Sequence, residues 1–256
     1  MAENFLTSKK LIKEIIKNSP QYVSKLYIAN NASGSDIKEI IEIAKNKKVS
    51  FLSVPKQKIL DIFNQGYSGV LLITSPVKYL TIDEFINKTK KKEKNLVVLL
   101  DEIKDPQNFG AIIRTSSAFD VDGIFIQQWN QVPITQSVIE VSKGGIYNLD
   151  IVKVKNIHHA IVELKKINFW IYATVPKESS FSQTNLTEIS EISKLNNIGI
   201  VFGNEEKGIR KNILNECDGI ITIEHSSKMQ SLNVSVSCGI ILYEIYRTFK
   251  NKVEKF

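Results

Sequence analysis

The sequence predicts an α/β protein in two parts: a small N-terminal α/β unit, and a larger C-terminal unit with a mostly parallel sheet covered by helices on both faces. Three observations carry this expectation. Short apolar runs of strand length alternate with segments of helical period along most of the chain. The later runs are apolar almost without interruption, as strands buried on both faces are. A polar stretch ending in KTKKKEK, residues 88–94, divides the two series.

In chain order, residues 7–18 carry Leu11, Ile12, Ile15 and Ile16 at the spacing of an amphipathic helix. Residues 25–29 read as a short strand. Asp36 suits the N-cap of a helix whose inner stripe is Ile37, Ile40, Ile41 and Ala44. A strand at 49–52, a helix at 56–63 with Ile59, Leu60 and Phe63 inward, and a buried strand at 69–74 complete the series. Residues 1–75 therefore read as a unit with its own core, and 76–94 as a Lys-rich linker.

The second unit, residues 95–256, has expected strands at 96–101, 123–127, 150–154, 169–174, 198–203 and 219–223. Helices are expected at 111–119, 135–141, 157–167 and 209–216. The last element, 232–247, carries Val234, Val236, Cys238, Ile240, Ile241, Leu242 and Ile245 around its circumference. A helix apolar on every face is expected to be buried on every face.

Composition narrows the function. The 256 residues carry a net charge of +7, which suits an anionic partner, nucleic acid first. No run approaches the ~18 apolar residues of a membrane span, and MAENFLTSKK lacks the apolar segment of a secretory signal. Cys217 and Cys238 lie far apart, with no C-x-x-C and no His at ligand spacing. Reduced thiols, a cytoplasmic location and no metal site are expected. His158, His159 and His225 form no cluster.

Chemistry concentrates in three stretches. In LVVLLDEIKDPQNFGAIIRTSS, residues 96–117, a buried strand runs into a polar loop at 101–108, and Gly110 then opens a helix with Arg114 one turn in. Open α/β sheets place their chemistry at such joints. The other two are IVFGNEEKGIR, residues 200–210, and IEHSSKMQSLNVSVSCGIILYE, residues 223–244. GNEEKG is a poor phosphate loop, with no GK[ST] ending and two carboxylates that would repel phosphate.

In this order and spacing, DPQNFGAIIRTS, GNEEKG and SLNVSV resemble the three motifs of the SpoU-type (TrmH-like) RNA ribose 2′-O-methyltransferases, from about residue 96 to the C-terminus. The resemblance implies S-adenosylmethionine as cofactor, RNA as substrate, a trefoil-knotted C-terminal domain that absorbs the apolar last helix, and a homodimer. The N-terminal unit is similar to the substrate-binding domain of the family's ribosomal-RNA members. This favours ribosomal RNA over transfer RNA, with guanosine of large-subunit RNA as the specific expectation. The alternatives are a transfer-RNA ribose methyltransferase and a non-catalytic RNA-binding factor that keeps the fold.

By matching motif positions, the resemblance assigns catalytic roles to Asn108, Arg114, Glu205, Ser231 and Asn233. It places Thr174, Gly203, Ile223 and Leu232 in the cofactor pocket. Arg114 would grip a phosphate or the 2′-oxygen, since a guanidinium stays protonated. Asn108 would position it or the ribose, and Glu205 would orient it or a motif loop. Four have a plainer reading: a surface salt bridge for Arg114, the dipole of the following helix for Glu205, and N-capping for Ser231 and Asn233, a role to which Ser231 is well suited. Gly203 would let a ligand approach the backbone closely. The chain departs from the family pattern at Glu206, where Gly is common, and at Glu224, His225 and Ser227, where Pro, Met and Gly are.

Overall fold

The computed structural model describes residues 3–176, 187–192 and 194–253. The chain forms two compact units, Met1–Lys78 with Ile146–Asn148, and Tyr79–Gly145 with Leu149–Phe256.

The first unit runs β1 (Asn4–Leu6), α1 (Lys9–Asn18), β2 (Val23–Ala29), α2 (Ser35–Asn46), β3 (Leu52–Val54), α3 (Lys56–Ile62) and β4 (Val70–Thr74). Its sheet has the order β1-β4-β2-β3. Strands β2 and β3 are parallel, and β4 is antiparallel to both β1 and β2. Helix α1 buries the four expected residues Leu11, Ile12, Ile15 and Ile16. In α3, Ile59 is buried, with Ile62 and Phe63 packed against the same cluster in place of Leu60.

Two expectations are corrected here. Helix α2 is capped by Gly34, and Asp36 sits in its first turn, where its carboxylate takes a 2.9 Å ion pair from Lys13 on α1. The strand expected at 49–52 lies at Leu52–Val54. Residues 48 and 49 are used to leave α2: Lys48 adopts φ 56°, and the amides of Lys48 and Val49 bond the carbonyls of Lys45 and Ala44. That is a Schellman ending, which delays the strand.

The second unit contains β5 (Tyr79–Leu80), α4 (Ile82–Thr89), β6 (Asn95–Asp101), α5 (Pro106–Ala118), β7 (Gly123–Gln127), α6 (Gln136–Val141), β8 (Asp150–Val154), α7 (Ile157–Lys165), β9 (Trp170–Thr174), α8 (Ile189–Ile192), β10 (Asn197–Gly203), α9 (Lys211–Leu214), β11 (Gly219–Ile221) and α10 (Val234–Val253). Among the described residues its seven strands have the order β11-β9-β10-β6-β7-β8-β5, and every pairing is parallel. Each of β6, β7 and β10 is buried almost throughout, as continuous apolar runs require. Fully burying such a side chain contributes about 1.5–3 kcal/mol.

Residues 76–94, read above as linker, hold β5 and α4. Thr81 and Glu84 form a capping box at the start of α4, and Phe85 is buried edge-on against Phe125, with ring centroids 5.0 Å apart. The lysines that suggested a linker form the outer face of this helix and the turn after it. Lys88 pairs with Asp150 at 2.5 Å, and Lys92 pairs with Asp122.

Helix α5 begins at Pro106 rather than after Gly110, because Asp105 caps it by accepting the Gln107 amide at 2.9 Å and proline suits the first position. Asn108 thus stands on the first helical turn and not in the loop. A Cβ on Gly110 would lie 2.6 Å from Val141, so glycine allows α5 and α6 to pack closely.

The last helix is longer than expected and is not buried all round. Cys238, Ile241, Leu242 and Ile245 are buried, while Val236 (50% exposed), Ile240 (39%) and Tyr243 (49%) form an open stripe. Among the described residues no helix is long and apolar enough to cross a membrane.

Candidate active site

The register places the ends of the central strands side by side. Gly203 of β10 pairs with Asp101 of β6, and Ile221 of β11 pairs with Thr174 of β9. Chain order reverses between β6 and β10, the switch point at which open parallel sheets bind ligands. A cleft of about 380 Å³ opens there. Its lining includes Asn108, Thr174, Gly203, Glu205, Ile223, Ser231, Leu232 and Asn233, drawn from five separate stretches of chain.

Three of these form a hydrogen-bonded chain. The Asn233 Nδ2 donates to Asn108 Oδ1 at 2.9 Å, and Asn108 Nδ2 donates to Glu205 Oε1 at 3.0 Å. Glu205 also accepts the backbone amides of Lys104 and Asp105 at 3.4 and 3.3 Å. Its carboxylate therefore faces the start of α5, and not the helix that follows it in sequence. Asn233 caps α10: its Oδ1 accepts the Ser235 amide at 2.8 Å and the Ser235 hydroxyl at 2.7 Å. Of the two residues suited to N-capping, Asn233 is the cap, and Ser231 is exposed on the cleft.

Two further positions are explained by contacts of their own. The Thr174 hydroxyl donates to the Val201 carbonyl at 2.9 Å. A Cβ on Gly203 would lie 2.4–2.7 Å from the backbone of Gly208 and Ile209. The glycine is required by the fold-back of 204–208 before any ligand is considered. That fold-back is closed by Asn204, whose amide and carbonyl both bond Gly208 and whose Oδ1 accepts the amides of Glu206 and Lys207 at 3.0 Å.

Arg114 is not among the lining residues. It is exposed on α5, and its side chain has no ion pair or hydrogen bond among the described residues.

A second charged element escaped the sequence reading. Asp101, 1% exposed, accepts from Arg210 Nε at 2.9 Å and from the Arg210 amide at 3.0 Å, and Arg210 Nη2 donates to Gln127 at 3.0 Å. This clamp ties the loop carrying Glu205 to β6 and β7. Its signal was an acidic residue ending a buried strand, which demands a partner. Asn204 and His225 also line the cleft and were not singled out as site residues. Among the described residues no His, Cys, Asp and Glu group could hold a metal.

The sequence pattern of the SpoU rRNA Methylase family matches residues 95–243, and that of the RNA 2′-O ribose methyltransferase substrate-binding domain matches residues 9–80. The chain belongs to the SpoU methyltransferase family. A Staphylococcus epidermidis protein named as a TrmH family tRNA/rRNA methyltransferase is 32% identical over 256 residues, covering all of both chains. A Staphylococcus aureus protein of the same name is 32% identical over 249 residues, 96% of this chain and 97% of its own.

The fold is shared with the SpoU methyltransferase AviRb of Streptomyces viridochromogenes, solved with S-adenosylmethionine. The TM-score is 0.73 at 18% identity, covering 98% of this chain and 91% of the other. An rRNA methyltransferase of Sinorhizobium meliloti gives 0.71 at 19% identity, covering 96% and 87%. This SpoU protein is an RNA 2′-O-methyltransferase that uses S-adenosylmethionine.

The cleft suits that cofactor. Ile221, Ile223, Leu232 and Ile241 give aliphatic walls for a flat heteroaromatic ring, and Glu205 and Glu206 stand on the lining where a cation is favoured. Gly203, Ile223, Leu232 and Thr174, all on the lining, would be the residues to hold it. When bound, it supplies an electrophilic methyl on a sulfonium.

Proposed function

We propose that the substrate is large-subunit ribosomal RNA, methylated on a guanosine ribose. The observation that carries this reading is the separate N-terminal unit, whose sequence matches a substrate-binding domain over residues 9–80. In this reading the first unit selects structured RNA through phosphate contacts, and the second does the chemistry. Arg114, whose side chain has no partner among the described residues, stabilises negative charge on the 2′-oxygen or an adjacent phosphate. Asn108, Glu205 and Asn233 hold the first turn of α5 and the start of α10 in fixed relation. Ser231 offers the cleft an exposed hydroxyl with no partner among the described residues.

The same reading includes a homodimer, a knotted C-terminal chain and a cytoplasmic location. The dimer is supported by Val236, Ile240 and Tyr243, spaced four and three residues apart on one face of α10. The knot is supported by α10 returning to pack on α5, α8 and β10. Two free, widely separated thiols suit a reducing compartment.

The test of substrate is competition: unmodified ribosomal RNA and transfer RNA are offered together with labelled cofactor. Label confined to ribosomal RNA supports the reading, and label confined to transfer RNA refutes it. Sedimentation tests the dimer. A mass of roughly twice 29.0 kDa is expected, reduced to the monomer value by Ile240→Glu.

A further inference from the structure

We propose that Trp129 is a stacking platform for a base of the substrate RNA flanking the methylated nucleotide, an inference that rests on the RNA methyltransferase reading above. Trp129 is 69% exposed, on the loop that follows β7. In a parallel sheet that loop emerges on the same edge as the cleft. Strand β7 is the immediate neighbour of β6 and the second neighbour of β10. At the usual strand spacing this is about 5 and 10 Å across the sheet.

The loop is held at both ends. The Gln128 amide donates to the Val154 carbonyl at 2.8 Å, and the Val132 amide to the Ile103 carbonyl at 3.0 Å. Gln127 at its base accepts from Arg210 at 3.0 Å, joining it to the clamp on Asp101. Asn130 turns the chain at φ 58°, a conformation asparagine tolerates. The indole is therefore presented to water by an anchored turn.

The surroundings carry the chemistry of nucleic-acid contact. Lys104, Lys155 and Lys207, on the loops after β6, β8 and β10, and Lys211 at the start of α9, are all exposed on this edge. None has an ion pair or hydrogen bond from its side chain among the described residues. Unpaired cations around an exposed aromatic form the usual combination for single-stranded RNA, in which phosphates meet Lys and a base stacks on the ring. Gln131 adds a second signal. Both its side-chain polar atoms are buried without a hydrogen-bond partner among the described residues, so they have bonds still to make with a ligand that reaches them.

The chain has two tryptophans, and Trp170 begins β9 on the opposite edge of the sheet. Trp170→Phe therefore leaves Trp129 as the only indole, and Trp129→Phe leaves Trp170. Unmodified transcribed large-subunit ribosomal RNA is titrated into each variant while emission is followed. Quenching is expected with Trp129 alone and not with Trp170 alone. Trp129→Ala is expected to raise the KM for that RNA about tenfold, with Trp129→Phe close to wild type and cofactor affinity unchanged. RNA binding with unchanged Trp129 emission and unchanged KM overturns this proposal alone. Absence of any RNA binding by the wild type overturns the substrate reading as well. If Trp129→Ala instead produces 29.0 kDa monomers, the indole belongs to a subunit interface and the proposal fails.

Discussion

Asn108 and Glu205 stand 97 residues apart in sequence and are joined by a 3.0 Å hydrogen bond in which the amide donates to the carboxylate. The bond ties the first turn of α5 to the loop after β10, and Asn233 extends it to α10. Asn108→Ala is expected to cost about 1–2 kcal/mol of stability and to slow methyl transfer. Asn108→Asp sets two carboxylates against each other and should be slower still. Single-turnover rates of the three proteins check the order; an aspartate variant faster than the alanine variant would refute it.

Arg114 gives the opposite pattern. Having no partner among the described residues, it contributes little to folding. Arg114→Ala should leave the melting temperature and cofactor affinity unchanged while lowering turnover about a hundredfold, the usual effect of losing one transition-state charge contact. Turnover within a few-fold of wild type would remove Arg114 from the chemistry.

Gly203 cannot accept a side chain, because its Cβ would meet the backbone of Gly208 and Ile209 rather than a flexible side chain. Gly203→Ala should open the Asn204–Gly208 turn and weaken cofactor binding at least tenfold. Calorimetry on the folded variant measures this, and wild-type affinity would show that the turn is irrelevant to the pocket.

Burial pushes the Cys217 thiol up from 9.0 to about 12 and raises the Cys238 thiol as well. The thiolate is the reactive form, so neither should be alkylated in the native protein at pH 8, and both should react on unfolding. The sign for stability follows. Preference for the neutral thiol stabilises the fold fully below the unfolded-state value and is lost as pH rises through the folded one. Denaturant midpoints should therefore fall between about pH 9 and 12, less steeply in Cys217→Ala; an equal fall in that variant removes Cys217 as a cause.

What was legible in the sequence is what repeats locally or sits in a long motif. The stripe of α1 and the apolar runs of β6 and β10 follow from period and burial. Asn108, Glu205 and Asn233 were named because DPQNFG, GNEEKG and SLN were matched together. Their mutual hydrogen bonds span 97 and 125 residues and leave no local trace. The Asp101–Arg210 pair, 109 residues apart, was missed for the same reason. Helix α4 was hidden by the lysines on its outer face, although its capping box was present in TIDE. Strand β1, three residues long, is too short to show a period. Any truncation meant to isolate the second unit should begin no later than Tyr79, since a start at Lys94 would strip Phe85 from the core.

The most direct measurement is to map the methyl group itself. The full-length protein is given labelled S-adenosylmethionine and unmodified large-subunit ribosomal RNA, and the product is digested with alkali, which cannot cleave beside a 2′-O-methylated ribose. One labelled, alkali-resistant dinucleotide beginning with guanosine is the expected result, formed about a hundredfold more slowly by Arg114→Ala. Label released as mononucleotide, which places the methyl on a base, or no incorporation into ribosomal RNA, would contradict it.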